Sequence, residues 1–123
     1  MKKLILLLIV ALFTLTLASC SLNGISIEEA EANLKEAGYT DIVIMTGEEY
    51  VNQEDCEYPS IFASELDYYL YARKGQDYIK MFYFWSVDAA SSNAEWMFSP
   101  DYTGQTNNIY YIGTRQAIKD VKI

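Results

Sequence analysis

The apolar positions of the chain recur with two different periods, and these predict an alternation of helices and strands. After Ser26, apolar residues recur at helical spacing as far as Ala37, and Gly38 follows. Serine is a favoured N-cap, especially with a residue such as Glu29 three positions later, and glycine is favoured just beyond a helix. The pattern therefore predicts a first helix over Ile27–Ala37.

Three strands are predicted in the middle of the chain. The β-branched run Asp41–Thr46 predicts the first strand. The alternating segment Leu66–Lys74 and the segment Tyr78–Trp85 predict the next two, which are joined by a turn that contains Gly75. The polar, acidic segment Gly47–Ser60, which contains Pro59, predicts a loop, and the alternative at its start is a turn of helix over Glu48–Val51. The hairpin of the second and third strands is the expected centre of the fold.

Beyond the hairpin, the pattern predicts two helices and one further strand. Ser86 is a suitable N-cap for a second helix that ends before Pro100. The polar residues 101–107 predict a loop, Ile109–Gly113 a fourth strand, and Arg115–Val121 a short last helix. The predicted order is therefore α-β-β-β-α-β-α. The predicted fold class is α+β, with a four-stranded, mainly antiparallel sheet and helices packed on one face.

The start of the chain has a different character. Lys2 and Lys3 precede the uncharged apolar run Leu4–Leu17, which has 14 residues. A helix that spans a membrane needs roughly 20 residues, so this run is too short for one. A positive start, an apolar run of this length and the small residues Ala18 and Ser19 are typical of a cleaved signal peptide.

The end of this run, Leu17-Ala18-Ser19-Cys20, resembles the lipobox of bacterial lipoprotein precursors. The resemblance implies cleavage before Cys20, a diacylglycerol group on its sulfur, and attachment to the outer face of the cell membrane. Two acyl chains attach a protein stably, whereas one chain binds reversibly. The alternative is an ordinary secretory signal that is cut after Ala18 or Ser19.

The whole chain is similar to the small uncharacterised lipoproteins of Gram-positive and related bacteria. Besides the lipobox, the likeness rests on the capped helix, the aromatic hairpin and the terminal segment Tyr111–Thr114. It implies an extracytoplasmic location and brings no activity, catalytic residue or cofactor. The expected organisation is a signal peptide over residues 1–19, a lipidated tether over 20–25 and a single α+β domain over 26–123.

Composition narrows the classes of function. The leader holds two of the nine basic residues and none of the seventeen acidic ones, so the rest of the chain is more acidic than the net charge of −8 indicates. This excess argues against binding to nucleic acid or to anionic lipid. The chain has no histidine, which excludes Ser-His and Cys-His catalysis. The acidic loop between Glu48 and Glu57 lacks a calcium-binding pattern, and no metal or cofactor is expected.

The candidate binding residues are four aromatic side chains of the hairpin: Tyr69, Tyr71, Phe82 and Phe84. Residues two apart on a strand share a face, so each pair lies on one side of its strand. Both faces of the third strand are apolar, and one set of helices cannot cover both. We therefore expect an open aromatic face that would bind a partner. The alternative is that residues 47–65 and the last helix shield this face.

The sequence favours a membrane-anchored, extracytoplasmic and non-enzymatic binding domain. Its partner would be a protein, a small molecule or a second copy of the chain, and neither residues nor motifs identify which. One alternative is a small hydrolase that acts on envelope material with a pair of carboxylates. Another is a structural module that dimerises through the sheet.

Overall fold

The computed structural model describes residues 24–123, which form one antiparallel sheet with helices on both of its faces. The described helices are α1 (Ile27–Glu36), α2 (Gly47–Val51), α3 (Val87–Ala94) and α4 (Arg115–Val121). The described strands are β1 (Asp41–Thr46), β2 (Leu66–Lys74), β3 (Asp77–Phe84), β4 (Tyr102–Thr106) and β5 (Ile109–Gly113). The predicted α+β class is confirmed. None of the helices in this part of the chain combines the length and the apolar character needed to cross a membrane.

The strand order in the sheet is β1-β2-β3-β5-β4, and every neighbouring pair is antiparallel. The predicted β2–β3 hairpin lies at its centre. α3 then carries the chain to the edge strand β4, and β5 returns between β4 and β3. A two-residue turn, Asn107 and Asn108, joins β4 to β5, and Asn107 has a φ of 54°. Asparagine tolerates this left-handed conformation better than most residues.

Caps fix the ends of α1 as the sequence predicts. The Ser26 hydroxyl accepts a hydrogen bond from the Glu29 amide at 3.1 Å. At the other end, Gly38 has a φ of 98°, and the Tyr39 amide donates to the Leu34 carbonyl at 2.9 Å. This arrangement is the Schellman motif, which satisfies the last carbonyls of a helix.

The sheet contains one strand more than predicted. Residues 101–107 are not a loop, because Tyr102–Thr106 pairs along β5 as strand β4. An edge strand needs no apolar alternation, and the side chains of β4 are mostly exposed. Gly104 lies against a ring of β5, and a Cβ atom there would be 2.3 Å from the Tyr111 hydroxyl. Because β4 is polar, a prediction from the pattern of apolar positions does not identify it as a strand.

The helices do not pack on a single face of the sheet, and that prediction is wrong. α1 and α4 cover one face, with a core that includes Leu34, Leu70 and Ile79. α2, α3 and the segment between α2 and β2, residues 52–65, cover the other face, with a core around Phe82. β3 supplies large apolar side chains to both faces. A strand buried on both sides needs cover on both, as its nearly continuous apolar sequence indicates.

A β-bulge at the start of β2 changes the face on which Leu66 lies. Leu66 pairs with Phe84, but Tyr68 pairs with Tyr83, so β2 has one extra residue at this point. Strict alternation along β2 would place the side chains of Leu66 and Leu70 on the same face of the sheet. The bulge instead places Leu66 in the core around Phe82, because one inserted residue reverses the side to which a strand's side chains point.

Candidate functional site

The four aromatic residues predicted to line an open face lie mostly inside the domain. Tyr69 is 8% exposed, Phe82 and Phe84 are fully buried, and Tyr71 is half-buried. Tyr69 and Phe82 are cross-strand partners whose ring centroids are 5.1 Å apart. The pairing across the hairpin is confirmed, but the open face is not present. These side chains stabilise a core.

The cover over these rings comes from α2, residues 52–65 and α3. The Tyr50 ring of α2 lies 4.4 Å from the Tyr69 ring, and the Tyr58 ring meets Phe82 edge-on at 5.8 Å. The Tyr58 hydroxyl donates to the Phe98 carbonyl at 3.1 Å, which fixes the segment over the sheet. Shielding by residues 47–65 is therefore confirmed. The second shield is α3, whereas the last helix lies on the opposite face.

Two acidic residues of the segment after β1 have partners within the domain. The Glu49 carboxylate accepts from the Thr46 amide at 3.3 Å and completes a capping box at the start of α2. Glu57 forms an ion pair with Lys80 of β3. Within residues 24–123, no three acidic or cysteine side chains are grouped so that they could hold a metal ion. These two glutamates thus help to order the cover over the sheet.

A cleft of about 350 Å³ lies at the end of the sheet where β2 begins, β3 ends and α1 starts. We call this end the tether end, because the chain enters the described domain there. The cleft is lined by Glu28 and Glu29 of α1, Asp67 and Tyr68 of β2 and Tyr83 of β3. Its volume falls within the range of small-molecule sites.

Local structure places these side chains together. The Tyr83 hydroxyl donates to the Ser26 carbonyl at 3.4 Å, so β3 holds the start of α1. Because Ser26 is the N-cap, Glu28 and Glu29 fall in the first turn of α1, where the helix dipole favours negative charge. Asp67 comes from the bulged start of β2. The spacing along the sequence does not show that these elements meet.

The cleft is acidic. Burial raises the pKa of the Asp67 carboxyl above its ordinary value. Burial also raises the pKa of Tyr83, with smaller contributions from the Glu28 and Glu29 carboxylates. None of the described residues that line the cleft is basic. The cleft is therefore complementary to a positively charged group.

Replacing Asp67 with asparagine is expected to alter how stability depends on pH. Because the folded-state pKa is raised above the ordinary value of 3.8, the folded chain holds this proton more tightly than the unfolded chain. The contribution of Asp67 to stability is therefore lost as pH rises through the folded-state pKa. The thermal unfolding midpoint of Asp67→Asn should therefore be higher than that of the wild type at neutral pH. At about pH 3 the two midpoints should be nearly the same.

The matched control is Asp55→Asn, which removes one charge from an exposed position. Thermal unfolding of both variants across this pH range is the measurement. If the thermal midpoint rose equally in the two variants at neutral pH, overall charge, and not the burial of Asp67, would be the cause.

Sequence reasoning did not predict a group of exposed apolar residues at the tether end. Phe62 is 68% exposed, Trp85 66% and Val87 51%. Trp85 is predicted as the last residue of the third strand, but β3 ends at Phe84. A sequence pattern shows that these residues are apolar. Whether they are covered depends on segments that pack from elsewhere in the chain.

The described part of the chain thus presents two candidate functional features at one end of the sheet, the acidic cleft and the exposed apolar residues. Cys20, the predicted site of lipidation, lies outside the described residues, as does the predicted signal peptide. No protein-family model matches the chain, and neither a curated protein nor a solved structure does.

Proposed function

We propose that the chain is a lipoprotein whose single domain is held on the extracytoplasmic face of the cell membrane and acts by binding a partner. The observation that carries this proposal is the sequence Leu17–Cys20, whose first residue is also the last of an uncharged run of 14 residues with two lysines before it. The lysines, the run and the small residues are typical of a signal peptide, and the last four residues resemble a lipobox. Together they supply both the export and the anchor.

The start of the described domain supports a short tether. Gly24 lies four residues after Cys20 and already lines the cleft at the tether end. Ser26 is the N-cap of α1. A chain anchored at Cys20 would therefore hold the domain close to the membrane, and the tether end would be its nearest part.

Binding is favoured over catalysis by the side chains that are present. The chain has no histidine, and the aromatic residues considered for a binding face are largely buried. The acidic cleft is the surface that we assign to the partner. Its carboxylates and the Tyr68 and Tyr83 rings are the groups that recognise a cationic ligand such as an amine or a basic peptide. Dimerisation through the aromatic face has no support, since that face is covered.

One observation favours the alternative of a small hydrolase. Asp67, whose pKa is raised by burial, shares the cleft with Glu28 and Glu29. A raised pKa suits a general acid, and a second carboxylate nearby suits a base or nucleophile. Turnover of an envelope glycan that is lost in Asp67→Asn would favour this alternative over binding.

Replacing Cys20 with alanine tests the anchor. In bacterial cells that produce the full chain, metabolic labelling with a fatty acid should mark the wild-type protein and be lost in Cys20→Ala. The unprocessed precursor should accumulate, because the modified cysteine is the expected cleavage site. Cys56→Ala is the matched control, since it removes the other cysteine and should leave labelling intact. Labelling of Cys20→Ala at the wild-type level would disprove the proposal.

A further inference from the structure

Backbone hydrogen bonds and short stretches of chain link the three exposed apolar residues at the tether end. The Trp85 amide donates to the Glu65 carbonyl at 2.9 Å, and the Glu65 amide donates to the Phe62 carbonyl at 2.9 Å. Val87 is the first residue of α3, two positions beyond Trp85. We call Phe62, Trp85 and Val87 the apolar tip. Each of the three side chains is at least half exposed, which is unusual for a group of neighbouring apolar residues.

The chain enters the described domain beside this tip. A Cβ atom at Gly24 would lie 3.3 Å from Cδ1 of Ile109. The neighbouring Asn108 exchanges two hydrogen bonds with Phe84, from the Phe84 amide at 2.9 Å and to the Phe84 carbonyl at 2.8 Å. Trp85 follows directly. Gly24 and the apolar tip therefore lie at the same end of the sheet.

The length of chain before Gly24 limits how far the anchor can be. Cys20 is four residues away, and an extended residue spans at most about 3.6 Å, so the separation of the two Cα atoms is at most about 14 Å. A lipid on Cys20 would thus enter the bilayer within a short distance of the tip. This geometry limits which parts of the domain can meet the membrane surface.

The charges around the tip indicate which kind of surface it suits. Glu65 and Asp88 are its charged neighbours along the chain. The basic residues of the described chain lie elsewhere. Arg73 and Lys74 end β2 and Arg115 begins α4 at the opposite end of the sheet, and Lys80 lies in the middle of β3. The other three, Lys35, Lys119 and Lys122, lie around the C-terminal end of α1. A tip without basic residues gains nothing from anionic lipid. It suits the head-group region of a neutral, zwitterionic bilayer.

We propose that the apolar tip rests in the head-group region of the bilayer into which the lipid on Cys20 inserts, which fixes the orientation of the domain on the membrane. This inference rests on the lipid anchor of the proposed function. Tryptophan and other aromatic side chains are favoured at the boundary between lipid and water. Because the anchor already holds this end near the surface, contact of the tip needs no further loss of translational freedom.

A bilayer explains the tip better than a second protein molecule does. A stable protein interface buries roughly 800 Å² on each partner, and three side chains fall well short of that area. Along the chain, the residues beside Phe62 do not extend the tip, since Ala63 and Ser64 are small and Glu65 is charged. A bilayer, by contrast, can receive a small apolar tip whose remaining attachment comes from the lipid chains.

The two tryptophans of the chain provide matched probes. Trp85 belongs to the tip, just before α3, whereas Trp96 follows α3, with its ring 6.4 Å from the Tyr58 ring. Both cores and every described strand lie in residues 24–123, so the chain from Cys20 onward contains the folding unit. In a Cys56→Ser background, this chain is coupled through Cys20 to a maleimide-bearing lipid in phosphatidylcholine vesicles. Bromine atoms at the head-group end of the acyl chains then quench the fluorescence of a tryptophan that lies at the boundary between head groups and acyl chains.

The expected result is a difference between the two probes. In Trp96→Phe, where Trp85 remains, brominated vesicles should reduce emission roughly two-fold or more, as for a ring at the lipid–water boundary. In Trp85→Phe, where Trp96 remains, emission should not change. Quenching should persist at high salt, because no charge attraction is involved. Equal quenching of both tryptophans, or none of Trp85, would overturn the proposal.

A second pair of variants tests the rest of the tip. Phe62→Ser combined with Val87→Ser should reduce the quenching of Trp85. Phe98→Ser should not, although Phe98 is 82% exposed, since it lies beyond α3. A reduction of the same size in Phe98→Ser would overturn the assignment of the tip. Thermal unfolding of each variant shows that the comparison is made between folded chains.

Failure of this inference can be distinguished from failure of the anchor. The maleimide link supplies the anchor chemically, so the vesicle result does not depend on lipidation in cells. Persistent labelling of Cys20→Ala would overturn the lipid anchor without changing the emission of Trp85. Unquenched Trp85 on vesicles would overturn the tip while leaving the lipid labelling of Cys20 as expected.

Discussion

Replacing Phe82 with alanine is expected to lower the free energy of unfolding by about 3–5 kcal/mol. Phe82 is fully buried in the middle of β3. Its ring lies 5.5 Å from Tyr50, 5.8 Å from Tyr58 and 5.1 Å from Tyr69. Truncation would remove contacts from α2, from the segment that follows it and from β2 at once. The surrounding rings are large and cannot collapse fully into the cavity.

Urea denaturation of Phe82→Ala and Phe98→Ala measures this effect. Phe98 is 82% exposed, so its truncation should change stability by no more than about 0.5 kcal/mol. The two variants remove the same atoms from a buried and from an exposed position. Wild-type stability of Phe82→Ala would contradict the covered face, and the aromatic residues of the hairpin would again be candidates for binding.

Replacing Gly47 with alanine is expected to lower the free energy of unfolding by about 3 kcal/mol or more, at the upper end of the costs of overpacking. Gly47 is the first residue of α2, and a Cβ atom there would lie 1.9 Å from the Leu66 carbonyl oxygen. Both the obstructing atom and the carbon behind it belong to the backbone of β2. Relief would require α2 to move away from the sheet and to uncover Tyr50.

Helix propensity alone predicts the opposite effect. It predicts that the free energy of unfolding rises by about 1 kcal/mol when alanine replaces glycine in a helix. Gly75 supplies the control. It has a φ of 62°, and a Cβ atom there would meet nothing within 4 Å, so Gly75→Ala should cost only the 1–2 kcal/mol or so of a left-handed backbone. Urea denaturation should therefore rank Gly47→Ala as the more damaging change. The reverse order would show that α2 is held less closely than the structure indicates.

Local signals were sufficient for most of the secondary structure. The limits of β1, β2 and α4 agree with the predicted ones, and Ser26 and Ser86 cap their helices as expected. Each of these features depends on residues that are close in sequence. β4 could not be predicted in this way, because an edge strand of polar residues is stabilised by its pairing with β5 and not by its own pattern.

The faces of the sheet were harder to predict than its strands. Alternation places Tyr69 with Tyr71 and Phe82 with Phe84, as observed. It places Leu66 wrongly, since nothing in the sequence marks the bulge beside Asp67. Cover over the second face comes partly from Tyr58, which lies between Glu57 and Pro59 in a mostly polar segment. Its contribution becomes visible only when the segment is folded onto Phe82.

The candidate surfaces depended even more on the tertiary structure. Glu28, Asp67 and Tyr83 are far apart in the sequence, and their common cleft follows from the position of α1 beside the ends of β2 and β3. The apolar tip follows likewise from the backbone hydrogen bonds that bring Phe62 to Trp85. Composition excluded catalytic classes by the absence of histidine, but it carried no information about which surfaces would stay open.

The position of β5 between β3 and β4 determines when the domain can be completed as the chain emerges. The first three strands can pair in sequence order, because each neighbour follows the last. One edge of β3, with Phe82 and Met81, stays unpaired until Ile109–Gly113 arrives. In a chain that leaves a ribosome or a translocation channel from its N-terminus, the sheet therefore stays incomplete until Ile109–Gly113 has emerged. Completion of the sheet is thus coupled to the release of β5, the last of the described strands to emerge.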